Sequence, residues 1–181
     1  YATGNTDAMY LAGLMADKDQ ISKETIQKWA DEAYWYYLNE YTVPWIAAES
    51  PYGLELAKAW IEDSRPEIQA AGWSTFSSLL TFNLKDELDE NQVRCLMDRV
   101  EKEIHDMAPR VRFTMNNFII AAGASSANLT ELAKEKARKI GKVEVPMPHP
   151  KVKCKVPDAV EYIEKIENRG AVGKKRKSAR C

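Results

Sequence analysis

Histidine and cysteine are scarce in this chain of 181 residues, with two of the first and three of the second. His105, His149, Cys95, Cys154 and Cys181 fall in none of the spacings that assemble a zinc site, so no metal is expected. An odd set of thiols without CxxC spacing fits a reducing cytoplasm rather than a disulfide framework. Cys95 reads as a buried small apolar group, and the two histidines read as surface or loop residues rather than catalysts. No apolar run approaches the ~18 residues of a membrane span, which excludes a membrane partner of that kind. Strict polar–apolar alternation is missing as well, and nearly every segment repeats its apolar residues at three and four positions, so the predicted class is all-α. No signal peptide is visible. The chain opens at Tyr1 without an initiating methionine, already near a helix, and a segment upstream is expected.

What is present is charge, unevenly placed. Residues 1–149 carry sixteen Lys and Arg against twenty-three Asp and Glu, and residues 150–181 carry ten against four, so a net charge of −1 hides an acidic body and a basic end. The last residues contain Lys174-Lys175-Arg176-Lys177 after two glycines and no large apolar side chain beyond Val172, so this tail is expected to stay solvated and mobile. A mobile cationic arm suits a polyanion such as nucleic acid; a solubilising tail on an unrelated helical domain is the alternative from charge alone.

Caps and prolines divide the chain. A first helix is predicted from Asn5 or Thr6 through Met15, with Ala8, Leu11, Ala12 and Met15 on one face. Ser22 caps a long second helix, marked by Ile26, Trp29, Ala33 and Tyr37, that runs until Val43-Pro44 interrupts it. Further helices are expected over 44–48 as a short turn and over 54–63. Ser64-Arg65-Pro66-Glu67 reads as a capping box that opens a helix to about Phe82. The next run from Glu90 or Asn91 to before Pro109, over 109–122 and over 129–140 with Gly141 as its stop. Residues 143–156, with prolines at 146, 148 and 150, form an extended loop, and Pro157 starts a last helix to about Asn168. This divides the chain into a helical repeat domain (1–142), a proline-rich connecting loop (143–156), a C-terminal helix (157–169) and a flexible basic tail (170–181).

Two segments look like copies of one unit: 65–73 and 108–116 each begin a helix on proline, 43 residues apart. That spacing lies inside the ~40–47 residue period of HEAT and armadillo repeats. A stacked helical solenoid and an ordinary bundle both accommodate it. Tyr34-Trp35-Tyr36-Tyr37-Leu38-Asn39-Glu40-Tyr41 places five large aromatics in eight residues, too many for one core-facing stripe. Trp35 and Asn39 share a face, and Glu40 turns about 100° away. Such rings can pack between helices with their hydroxyls reaching water, or they can stack on bases at about 1–3 kcal/mol each.

These residues resemble a family, the HEAT-like DNA alkylation repair proteins or AlkD-like glycosylases. The resemblance runs from Ala2-Thr3-Gly4-Asn5-Thr6-Asp7-Ala8 through Trp29 and Trp35, Trp60 with Gly72-Trp73, and Thr114-Met115-Asn116-Asn117, to Cys154-Lys155-Val156-Pro157 and Gly173-Lys174-Lys175-Arg176-Lys177. It implies an armadillo-type α-α superhelix with further helices upstream of Tyr1, holding duplex DNA in a basic concave face. In active members it also implies removal of N3- or N7-alkylated purines without any cofactor. Active members pair a tryptophan with an aspartate four residues on, whose charge stabilises the positive sugar as the glycosidic bond breaks. Trp35 matches the tryptophan, but Asn39 stands at the aspartate position, and an amide forgoes several kcal/mol of that stabilisation. Glu40 is the carboxylate nearby, and the phosphate-gripping arginines of the family fall near Gln69-Ala70. The resemblance therefore implies a protein that binds double-stranded DNA and has weak or absent base-excision activity; the sequence leaves the oligomeric state open, a monomer being the favoured expectation. Trp35, Asn39 and Glu40 then occupy the catalytic positions, and Trp73, Arg110, Arg112, Lys174, Lys175, Arg176 and Lys177 face DNA. Two alternatives stand beside it: an active alkylpurine DNA glycosylase that uses Glu40, and a protein-interaction scaffold without DNA function, which the acidic body favours.

Overall fold

The structure, a computed structural model, describes residues 1–82, 88–147 and 154–178. Over these the chain is helical: α1 (Thr6–Met15), α2 (Lys23–Glu32), α3 (Val43–Glu49), α4 (Gly53–Trp60), α5 (Pro66–Thr81), α6 (Glu90–Glu103), α7 (Pro109–Ser125), α8 (Ala127–Ile140) and α9 (Ala159–Asn168). A π-helical turn, Leu38–Thr42, leads into α3, and a 3₁₀ turn, Ile104–Asp106, follows α6. Among the described residues there is no strand, and no helix is long and apolar enough to cross a membrane. His149, Cys181, Pro148 and Pro150 lie outside the described residues.

The two proline-opened helices, α5 and α7, form the most extensive helix pair. Their first residues, Pro66 and Pro109, line one cavity, and carbonyls in their last turns, those of Leu80 and Ser125, accept from the same Lys175 ammonium. They are therefore parallel and in register, as equivalent helices of two stacked repeats must be. Helices α3 and α4 pack on α5, and α8 and α9 pack on α7. At the centre Trp73, Phe76 and Phe118 meet edge to face or tilted, with ring centroids 5.3–6.2 Å apart. Helix α7 is buried nearly all round, as its composition predicts. Gly72 permits the close crossing of α4 onto α5, because a Cβ there would stand 2.8 Å from the backbone nitrogen of Ile61.

Several local expectations differ from the structure for identifiable reasons. The capping box at Ser64 is not formed: the helix takes Arg65 as its N-cap without a side-chain cap, one residue later than the box requires, and Asp63 accepts from the Arg65 amide at 2.8 Å and also holds its guanidinium. Helix α1 turns Met9 and Gly13 inward and leaves Leu11 and Met15 exposed. Its contact with the π-helical turn runs along Gly13, where any Cβ would collide with Thr42, and that selects the face. Cys95 is exposed rather than buried, because it lies about 200° round α6 from the inward Val93. The last helix starts at Ala159 with the Asp158 carboxylate accepting the Glu161 amide, a stronger start than Pro157 provides.

The basic tail is the largest correction. Residues 173–178 do not project as a free arm but run along the C-terminal ends of α7 and α5. The Gly173 amide donates to the Ala124 carbonyl (2.9 Å), the Arg176 amide to the Thr81 carbonyl (2.8 Å), and the Ser178 hydroxyl to Glu49 (2.7 Å). Lys175 donates to Leu80 and Ser125 at 2.6 and 3.2 Å. Helix C-termini leave carbonyls without intrahelical partners and carry partial negative charge, so a cationic strand is drawn to them.

Candidate nucleic-acid interface

The site is built on the interruption after α2. The chain leaves the helix at Glu32, and Ala33 is extended (ψ 103°). The Asn39 side-chain amide donates to the Ala33 carbonyl at 2.9 Å, replacing a helical bond with a side-chain one. Beyond it, the Val43 amide bonds back to the Leu38 carbonyl, the wide spacing of a π-turn. Pro44 has no amide for the Glu40 carbonyl, and the wide turn absorbs that loss without breaking the helix. One long helix over 22–43 is therefore not formed; residues 33–35 interrupt it, and helical structure resumes at Tyr36.

That segment separates the aromatics. Tyr37 lies tilted against Tyr41 at 4.6 Å, and Tyr41 lies edge-on to Trp45 at 5.8 Å, so these rings pack on one another. Trp35, 39% exposed, stacks on Tyr37 at 5.2 Å with an interplanar angle of 21° and meets Tyr36 edge-on at 5.5 Å. Tyr34 and Tyr36 are exposed as well. Packing and exposure are thus both realised, by different members of the cluster.

Behind the exposed rings, between the N-termini of α5 and α7, is a cavity of about 440 Å³ lined in part by Tyr34, Tyr36, Asn39, Glu67, Arg110 and Pro146. Trp35 stands beside it rather than in its lining. Asn39 is 2% exposed, and its Oδ1 has no hydrogen-bond partner among the described residues. Glu40 is buried and engaged: Arg110 Nε donates to it at 2.5 Å and Arg110 Nη2 closes a bidentate pair. The guanidinium lies 4.4 Å from both the Tyr36 and Phe113 ring centroids, and its Nη1 reaches Cys154 Sγ at 3.3 Å. Burial pushes the Glu40 carboxyl above the usual carboxylate range, although Arg110 opposes it. Burial pulls the Arg110 guanidinium down, and Glu40 together with Cys154 more than restores it.

The structure brings Trp35, Asn39, Glu40 and Arg110 together and disperses the other expected DNA contacts. Trp73 is a correction: it is 0% exposed on the face of α5 that meets α7, where an indole is worth more as core than a solvated ring would be. Arg112 donates from Nε to the Met107 carbonyl (2.7 Å) and from Nη1 to the Glu144 carbonyl (3.4 Å), which ties the chain before α7 to the loop after α8. Lys174, Arg176 and Lys177 are exposed. Burial pulls the docked Lys175 below the usual lysine range. Helices of 16 and 17 residues, at about 1.5 Å per residue, put this basic end about 24 Å from the cavity. Sequence reasoning missed Tyr36 as the ring under Arg110, and it missed Glu67, which stands exposed in the cavity wall. Only the aromatic run hinted at the first, and the sequence marked the second only as a helix-capping residue. No group of three His, Cys, Asp or Glu side chains suited to a metal gathers among the described residues.

No family model matches the chain. It is 33% identical over 169 residues to the uncharacterized proteins Lin0241 of Listeria innocua and Lmo0209 of Listeria monocytogenes, an overlap of 92% of this chain and 71% of each relative. A solved structure, described as "a new family of proteins related to the HEAT-like repeat DNA glycosylases with affinity for branched DNA structures", matches it with a TM-score of 0.90 and 36% identity. That match covers 100% of this chain and 76% of the other. The fold is thus HEAT-like, and the parallel α5 and α7 are its repeating helices.

Proposed function

Because this chain belongs to a family of proteins related to the HEAT-like repeat DNA glycosylases, we propose that it is a cytoplasmic, monomeric protein that binds branched double-stranded DNA with weak or absent base-excision activity. The observation that carries this is the state of the two candidate catalytic positions. Position 39 holds an amide, and the carboxylate of Glu40 is closed into a bidentate pair with Arg110. Glu67 is exposed, and a solvated carboxylate does little for a developing sugar cation compared with one in a dry site.

Binding is supported by other features. Exposed Trp35 and Tyr36 suit stacking on bases left unpaired at a branch, at about 1–3 kcal/mol per base. Lys174, Arg176 and Lys177 suit phosphates. The test is twofold. Purified protein is expected to bind a four-way DNA junction and to release little or no 3-methyladenine or 7-methylguanine from alkylated duplex. Robust release would favour the active glycosylase. Asn39→Asp is expected to raise excision above background; a variant that folds and binds but gains nothing would separate position 39 from any excision site.

A further inference from the structure

The basic strand across the C-terminal ends of α5 and α7 divides its side chains by direction. Lys175 turns inward, and its ammonium donates to the Leu80 and Ser125 carbonyls at 2.6 and 3.2 Å. Lys174, Arg176 and Lys177 are exposed and enter no ion pair among the described residues. The path of the strand is fixed along its length. Gly173 has φ +76°, a left-handed conformation that glycine adopts freely, and its amide donates to the Ala124 carbonyl at 2.9 Å. The Arg176 amide donates to the Thr81 carbonyl at 2.8 Å, and the Ser178 hydroxyl to Glu49 at 2.7 Å. Each helix C-terminus carries about half an elementary negative charge, so two such ends together answer about one ammonium. The Lys175 charge is therefore balanced from within, and the strand presents the three other cations outward from a fixed backbone.

We propose that this docked strand is a preformed phosphate-binding surface for one arm of a branched DNA, and that Lys175 is its positioning residue rather than a phosphate contact. The inference rests on the DNA-binding reading above and adds how the surface that takes the backbone is made. A free basic tail also attracts phosphates, but it loses conformational freedom when it binds, and that loss subtracts from affinity. The docked strand has lost that freedom already on folding. Affinity then depends on two residues that touch no DNA, Gly173 and Lys175.

The experiment measures affinity for a four-way DNA junction by fluorescence anisotropy across added salt, with amide exchange at Arg176 as the monitor of docking. Wild type is compared with Gly173→Val, Lys175→Met and Lys177→Met. Gly173→Val forces a β-branched residue into the left-handed region and changes no charge. Gly173→Val and Lys175→Met are both expected to speed exchange at Arg176 and to weaken binding about tenfold at every salt concentration. Both keep the wild-type salt slope, since the same three cations still meet phosphates. Lys177→Met is expected to lower the slope by about 0.9 and to leave exchange slow. A slope lowered by about 0.9 in Lys175→Met makes Lys175 itself a phosphate contact and overturns the assignment. Exchange that stays slow in both release variants overturns the anchoring, and faster exchange with unchanged affinity overturns the preformed surface. Failure of wild type to bind the junction overturns the DNA-binding reading itself.

Discussion

Glu40 and Arg110 form an ion pair whose carboxylate is nearly out of water and whose guanidinium lies between two aromatic rings. Taking the carboxylate out of water is the dominant cost, since its folded pKa is raised above its ordinary 4.5 despite the partner. A carboxyl raised in the folded state stabilises most when protonated, below its unfolded pKa, and that contribution is lost as pH rises through the folded value. Arg110→Met removes the opposing charge that pairs with Glu40, so it is expected to cost about 3–5 kcal/mol at pH 8. The loss is expected to be clearly smaller at pH 4, where a neutral Glu40 needs no partner, and urea unfolding at the two pH values checks both. Lys175 makes the second residue-scale case. Its ammonium joins the carbonyl ends of α5 and α7, and Lys175→Ala is expected to speed amide exchange at Gly173 and Arg176 about tenfold while leaving the core protected.

Helices α5 and α7 were legible as a repeated pair from two prolines and their spacing, because Pro at a helix start is a local signal that needs no tertiary context. The end of α2 was not. Its apolar period continues smoothly through Tyr37, and what stops it is the Asn39 side chain reaching back to Ala33, a bond that exists only after the chain has turned. The crossing of α4 on α5 is a similar case, where Gly72 reads as a weak point in a helix but serves as the contact. Gly72→Ala is expected to gain helix propensity yet lose about 1–3 kcal/mol overall, seen as a lowered thermal midpoint, since its Cβ would press on the Ile61 backbone. A rise in the midpoint would show that α4 has room to move.

The whole molecule is polarised along its parallel helices, with aromatic rings and the cavity at their N-terminal ends and the basic strand across their C-terminal ends. Charge counting found the basic end but assigned it freedom, because the carbonyls that hold Lys175 lie 50 and 95 residues earlier in the chain. Trp35, Asn39 and Glu40 were singled out as candidates through the family resemblance, and Asn39 and Glu40 line the cavity while Trp35 stands beside it. Trp73 was misplaced by the same route, since nothing in a helix sequence tells a core indole from a groove indole until its neighbour, here Phe118, is in place. The two proposed contact regions, about 24 Å apart, suit a ligand that offers more than one arm. The most direct measurement is the affinity of the protein for a four-way DNA junction and for a linear duplex of the same length, titrated across added salt. The account predicts tighter binding to the junction and an affinity that falls steeply with salt, by about 0.9 logarithmic units per tenfold salt for each phosphate contacted. Equal affinity for the two DNAs, or binding indifferent to salt, would contradict it.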